Sequence, residues 1–189
     1  MKIGLYFGSF NPIHTGHLII ASHILNHGDV ERIWFVVSPH NPLKESSSLL
    51  IESHRLHLVQ LAIENEPRFK ASNIEFSMPR PSYTIDTLTH LSEKFPQHSF
   101  SVIMGSDSFQ NIHKWKNHQL LMDNYPVIIY NRPGFPVADL KEERIRLLEA
   151  PLLDISSTFI RKLIKEKKSI RYLVSDEVMN DILANGYYK

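Results

Sequence analysis

The strongest constraint on the fold is a junction close to the N-terminus. A short apolar run, Ile3 to Phe7, breaks at Gly8 and gives way to Ser9-Phe10-Asn11-Pro12-Ile13-His14-Thr15-Gly16-His17. From Leu18 to Leu25 the apolar residues then take up helical spacing. The first run is rich in β-branched and aromatic residues and too short for a helix, so it reads as a buried strand. A strand, a glycine-bounded loop and a helix form the opening of a βαβ unit.

The same alternation runs down the chain. Ile33 to Val37, Phe100 to Met104 and Val127 to Tyr130 are further predicted strands. Helices are predicted over Leu56 to Ile63, Ile85 to Phe95, Leu140 to Glu149, Ser157 to Lys167 and Ser175 to Ala184, with Asn185-Gly186 as a stop. This pattern predicts an α/β fold, a Rossmann-like doubly wound, mainly parallel sheet with helices on both faces. No shift of composition divides the chain, so residues 1–189 read as one domain. Ser46-Ser47-Ser48 falls in a predicted loop.

Composition removes several function classes. The sequence has no cysteine, which excludes disulfides, thiolate metal sites and cysteine nucleophiles. Its 21 Lys+Arg against 20 Asp+Glu argue against a protein built for non-specific nucleic-acid binding. No apolar run is long enough to span a bilayer, and the N-terminus lacks a signal-peptide core. The expectation is a cytoplasmic protein with no membrane or nucleic-acid partner.

In this fold, ligands bind beyond the carboxyl ends of the strands. Gly8 and Gly16 allow a tight turn and a close ligand approach, and Pro12 stiffens the loop. His17 falls in the first turn of the helix, where free N–H groups and the helix dipole favour a phosphate. His14 and His17 could both donate to phosphoryl oxygens, most usefully where charge develops in the reaction. A lone histidine, one of 11 in the chain, would read as a surface or core residue. A metal site on His14 and His17 would need a third ligand, and the loop offers none.

A second anion site lies near the C-terminus. Ser156 is a natural N-cap, and Ser157, Thr158 and Arg161 lie in or just beyond the first turn that follows. Alone, this segment reads first as a capped surface helix with an arginine on its flank. The two segments lie about 140 residues apart and together are far more specific than either one.

The first loop resembles the (G/S)(T/S)F(D/N)Px(H/T)xGH signature of the nucleotidyltransferase superfamily. Residues 155–161 are similar to its second signature, ISSTxIR. Histidine at His14 resembles the nicotinate mononucleotide adenylyltransferase branch, where phosphopantetheine adenylyltransferases usually carry threonine. The resemblance implies that His14, His17 and Arg161 are catalytic. It also implies that Gly8, Ser9, Phe10, Gly16, Ser157 and Thr158 hold ATP.

Three middle segments extend the likeness. Ser38-Pro39-His40-Asn41-Pro42-Leu43-Lys44 follows the second strand, and His40 and Lys44 suit an anion or a solvated loop. Arg55, in the next helix, is a further phosphate candidate. Arg80 to Leu88 matches (R/x)PSYTxDTL; a turn with Thr84 as helix cap is its plainest reading. The family implies that Tyr83 and Thr84 hold the pyridine carboxylate.

Gly105, Asp107 and Trp115 fit GxDxxxxxxxWxxxxxLL, and Leu120 and Leu121 fit its end to within a residue. Asp107 can accept from ribose hydroxyls, and Trp115 offers a stacking face. Arg132 lies in a turn similar to the family's RPG turn near the adenine.

The resemblance implies transfer of AMP from ATP to nicotinate mononucleotide, with pyrophosphate released. The mononucleotide phosphate is already an anionic nucleophile, so no side-chain base is needed. Magnesium is expected on ATP's own phosphates, not in a protein cage. The alternatives are a phosphopantetheine adenylyltransferase, a cytidylyltransferase, or a catalytically silent nucleotide-binding module. Neither periodicity nor motif specifies an oligomeric state.

Overall fold

A computed structural model describes residues 1–39, 49–137, 144–151 and 153–189. Six strands form one sheet: β1 Lys2–Gly8, β2 Arg32–Val37, β3 Phe69–Ser72, β4 Ser99–Gly105, β5 Val127–Tyr130 and β6 Ile145–Leu148. Their order is β3-β2-β1-β4-β5-β6, and every pairing is parallel. The helices are α1 Thr15–His27, α2 Glu52–Ile63, α3 Thr84–Lys94, α4 Ser106–Phe109, α5 His118–Asn124, α6 Ser157–Lys165 and α7 Asp176–Asn185. Among the described residues none is long and apolar enough to cross a membrane.

Side chains of a strand alternate between faces, and here both faces are covered. Tyr6, Ile33, Phe35, Val37, Ile103, Ile128 and Tyr130 pack on one side against α1, α2, α6 and α7. Leu5, Trp34, Val36, Val102, Met104 and Ile129 pack on the other, against α3 and α5. That double burial explains why the four inner strands read as unbroken apolar runs.

The two outer strands did not read that way. Phe69-Lys70-Ala71-Ser72 and Ile145-Arg146-Leu147-Leu148 are short and only partly buried. The helix expected from Leu140 to Glu149 is therefore corrected: Ile145–Leu148 is an edge strand hydrogen-bonded to β5. Its apolar spacing suits either period, and the open edge of β5 decides between them. Residues 140–143 and the loop at 46–48 lie outside the described residues.

The order reverses at β1, which lies between β2 and β4. Chain leaving β1 turns toward β2 and chain leaving β4 turns toward β5, so a crevice opens beyond Gly8 and Gly105. Phe35 sits in the sheet with no exposed surface. Phe35→Ala should cost about 3–5 kcal/mol of stability and Phe35→Leu much less, as measured by urea unfolding.

Candidate active site

The crevice is a cavity of about 1130 Å³, more than one small ligand needs. Its walls come from the loops after β1, β2, β4 and β5 and from the starts of α3 and α6.

One end is built to grip phosphate. Ser156 caps α6 by accepting from the Phe159 N–H at 3.1 Å, which leaves Ser157 and Thr158 in the first turn. The two signature segments touch directly. Ser157 Oγ donates to the Pro12 carbonyl at 2.8 Å, and Arg161 Nη1 donates to the Asn11 carbonyl at 2.8 Å. Thr15 N–H also donates to the Leu173 carbonyl at 2.9 Å, tying α1 to the segment that enters α7. His17, Ser157, Thr158 and Arg161 consequently face one cavity.

The two histidines hold different places. His17 lines the cavity. Its Nδ1 accepts from the His14 N–H at 3.3 Å, so the neutral ring carries its proton on Nε2. His14 does not line the cavity. It is buried at the N-cap of α1 with its ring stacked on His17, centroids 3.7 Å apart. Burial, with the nearby charge of Arg132, lowers the His14 pKa from 6.5 to about 4. His14 is therefore a neutral platform under His17.

Gly16 serves that platform and also stays out of the cavity wall: a Cβ there would press within 3.1 Å of the His14 ring. Phe10, at φ 45°, folds its ring over Gly8 and meets His17 edge-on at 5.1 Å. Ser9 joins Gly8 and Phe10 in the wall.

Around the next corner stand Gly105, Asp107 and Arg132. A side chain at Gly105 would collide with Asp107 Oδ1. Arg132 Nη1 pairs with Asp107 Oδ2 at 3.0 Å, and its N–H donates to Ser106 Oγ at 2.8 Å. Ser106 is wholly buried, and a serine between Gly105 and Asp107 carries no sequence signal of this role.

The far end holds Ser82, Tyr83, Thr84 and half-buried Trp115. Thr84 does not cap α3. It is the first helical residue, Tyr83 is the N-cap, and no side chain caps the end. The free N–H groups of that turn therefore border the cavity. Lys114 and Lys116 also line it, with Lys116 paired to Asp86 at 2.8 Å and 4.8 Å above the Tyr83 ring. Neither lysine was singled out, because exposed lysines carry no spacing signal.

Arg55 is the clearest correction. It is fully buried and outside the cavity. Its guanidinium donates to four backbone carbonyls: Ser9, Ser38 at 2.8 Å, Pro39 at 2.9 Å and Leu50 at 2.7 Å. It binds the loops after β1 and β2 to the start of α2, and each of its three nitrogens donates to backbone. His40 and Lys44 lie outside the described residues. Among the described residues no group of three His, Cys, Asp or Glu could hold a metal ion.

Comparison with known proteins bears on this geometry. Residues 5–163 match the family model described as cytidylyltransferase-like. The chain is 53% identical over 189 residues to the probable nicotinate-nucleotide adenylyltransferase of Cytophaga hutchinsonii, covering 100% of this chain and 98% of that one. It is 48% identical over 192 residues to the Flavobacterium psychrophilum protein of the same name, covering 100% of both. Among solved structures, a Plasmodium falciparum nicotinic acid mononucleotide adenylyltransferase complexed with NaAD superposes with a TM-score of 0.84 at 24% identity. The match covers 99% of this chain and 97% of that one, and it shows the likeness of fold.

Two outcomes follow for the buried basic side chains. Arg55→Met strands four carbonyls and should cost about 3–5 kcal/mol in urea unfolding, the scale of breaking a buried charged network. The His14 pKa is depressed, so its contribution to stability is complete above pH 6.5 and is lost as pH falls toward about 4. Between pH 7.5 and 5 the wild type should lose about 2 kcal/mol that His14→Gln does not.

Proposed function

The chain belongs to the cytidylyltransferase-like family, within its nicotinate-nucleotide adenylyltransferases, and we propose that it transfers AMP from ATP to nicotinate mononucleotide. The products are nicotinate adenine dinucleotide and pyrophosphate. One observation carries this reading: both signature segments are hydrogen-bonded together and face one cavity, whose far end presents an uncapped helix start and an indole.

The mononucleotide phosphate oxygen attacks the α-phosphorus of ATP. The new P–O bond forms as the bond from the α-phosphorus to the bridging oxygen breaks, and pyrophosphate departs with that electron pair. No proton has to leave the nucleophile. The residues therefore work by position and charge. His17 donates toward the α-phosphate. Ser157, Thr158 and Arg161 take the departing β- and γ-phosphates, with the N-terminus of α6 behind them. Arg132 and Asp107 sit where adenosine is held. Trp115 stacks on the pyridine, and the backbone at Tyr83 and Thr84 receives its carboxylate.

The donor set at the phosphate end is cationic or neutral and suits anions, not a cation. Magnesium accordingly enters with ATP, on its phosphates and water. The cytoplasm is the proposed compartment.

The test is pyrophosphate release from ATP and magnesium with each acceptor in turn. Nicotinate mononucleotide should be preferred over nicotinamide mononucleotide, and phosphopantetheine should give none. Release with phosphopantetheine, or with no acceptor except a CTP-dependent one, defeats the reading. His17→Ala should lower kcat about 100-fold or more, the scale of one lost charge-stabilising donor.

A further inference from the structure

Glu75 has no part in the chemistry above, yet its side chain forms part of the cavity wall. It lies on a single 3-10 turn, Ile74–Ser77, and is only 2% exposed. Burying a carboxylate is costly unless hydrogen bonds replace its water. Here they come from three segments. Thr87 Oγ1, in α3, donates to Oε1 at 2.8 Å. Ser82 Oγ, in the turn before α3, donates to Oε2 at 2.9 Å. The Ser38 hydroxyl, from the loop after β2, is the third partner.

The placement of these partners matters. Ser82 leads into Tyr83 and Thr84, the uncapped start of α3 that borders the pyridine end. With no side-chain cap at its start, that turn takes its direction in part from groups outside the helix. Glu75 grips it on both sides, at Ser82 before the helix and at Thr87 inside it. Ser38 joins the grip to the sheet, since its N–H donates to the Gly8 carbonyl at 2.9 Å.

Resting on the acceptor assignment made above, we infer that Glu75 is a positioning residue for the mononucleotide. It aims the backbone donors at Tyr83 and Thr84 into the cavity without touching ATP. Burial raises its pKa, and the three hydroxyl bonds oppose that rise.

The test compares KM for the two substrates. Steady-state pyrophosphate release is measured for the wild type, Glu75→Gln, Glu75→Ala, Ser82→Ala and Thr87→Val, with thermal midpoints alongside. Glu75→Ala should raise KM for nicotinate mononucleotide about ten-fold, because it releases Ser82 and Thr87 on either side of the start of α3, and leave KM for ATP within about two-fold. Glu75→Gln, which keeps one acceptor oxygen, should rise less in the same direction. Thr87→Val added to Glu75→Ala should contribute little further, because Glu75→Ala already removes the bond between them.

An unchanged mononucleotide KM in Glu75→Ala overturns the inference. So does an equal rise for ATP, which would mark a merely structural role. Should the Glu75 variants fail to fold, Ser82→Ala and Thr87→Val decide by the same split. A wild type that uses no pyridine mononucleotide defeats the acceptor assignment and this inference together. An active wild type with insensitive variants defeats this inference alone.

Discussion

The site depends on one contact: side chains of α6 hydrogen-bonded to the loop after β1. Ser157 and Pro12 are 145 residues apart in sequence, Arg161 and Asn11 150 apart. Their bonds bring two helix starts to one crevice. Either start alone offers a weak anion site of the kind found at any helix N-terminus. Together they surround a chain of phosphates. The acceptors are backbone carbonyls, so the arrangement fixes the course of the loop and brings Thr158 and His17 to the wall of one cavity.

The pairing of two histidines then becomes intelligible. Stacked imidazoles 3.7 Å apart cannot both be charged cheaply. Burial keeps His14 neutral, and its backbone N–H occupies His17 Nδ1. The only hydrogen a neutral His17 can offer is then on Nε2. A single donor of known tautomer is preorganised for charge that appears only during reaction, which is where electrostatic stabilisation acts most strongly.

Much of this was legible in the chain because it rests on local rules. Four buried parallel strands announce themselves as apolar runs, Ser156 announces a cap, and the two loops carry glycine, proline, histidine and hydroxyls in a telling order. What escaped rests on relations that no local rule encodes. β3 and β6 take their identity from the neighbours they pair with. His14 and His17 look equivalent in sequence, and only the packing around Gly16 separates platform from donor. Glu75 lies in a stretch with no pattern, and its three hydroxyl partners come from both sides of it in the chain.

Arg55 shows the same limit from the opposite side. A cation on a helix near a phosphate site invites the reading of a ligand, and composition cannot tell a charge that faces a cavity from one that faces backbone. The loop after β2 settles the matter. Ser38 gives its carbonyl to Arg55, its hydroxyl to Glu75 and its N–H to Gly8. Two buried charges of opposite sign thus flank one residue, and each is satisfied by groups of the loops it holds, not by the other. Neither charge needs a substrate to be stable. A cavity that must receive two repelling anions gains when the charges that brace its loops are already satisfied, because the field inside is then left to the groups that line it, Asp107, Lys114, Lys116, Arg132 and Arg161 among them, and to the helix ends.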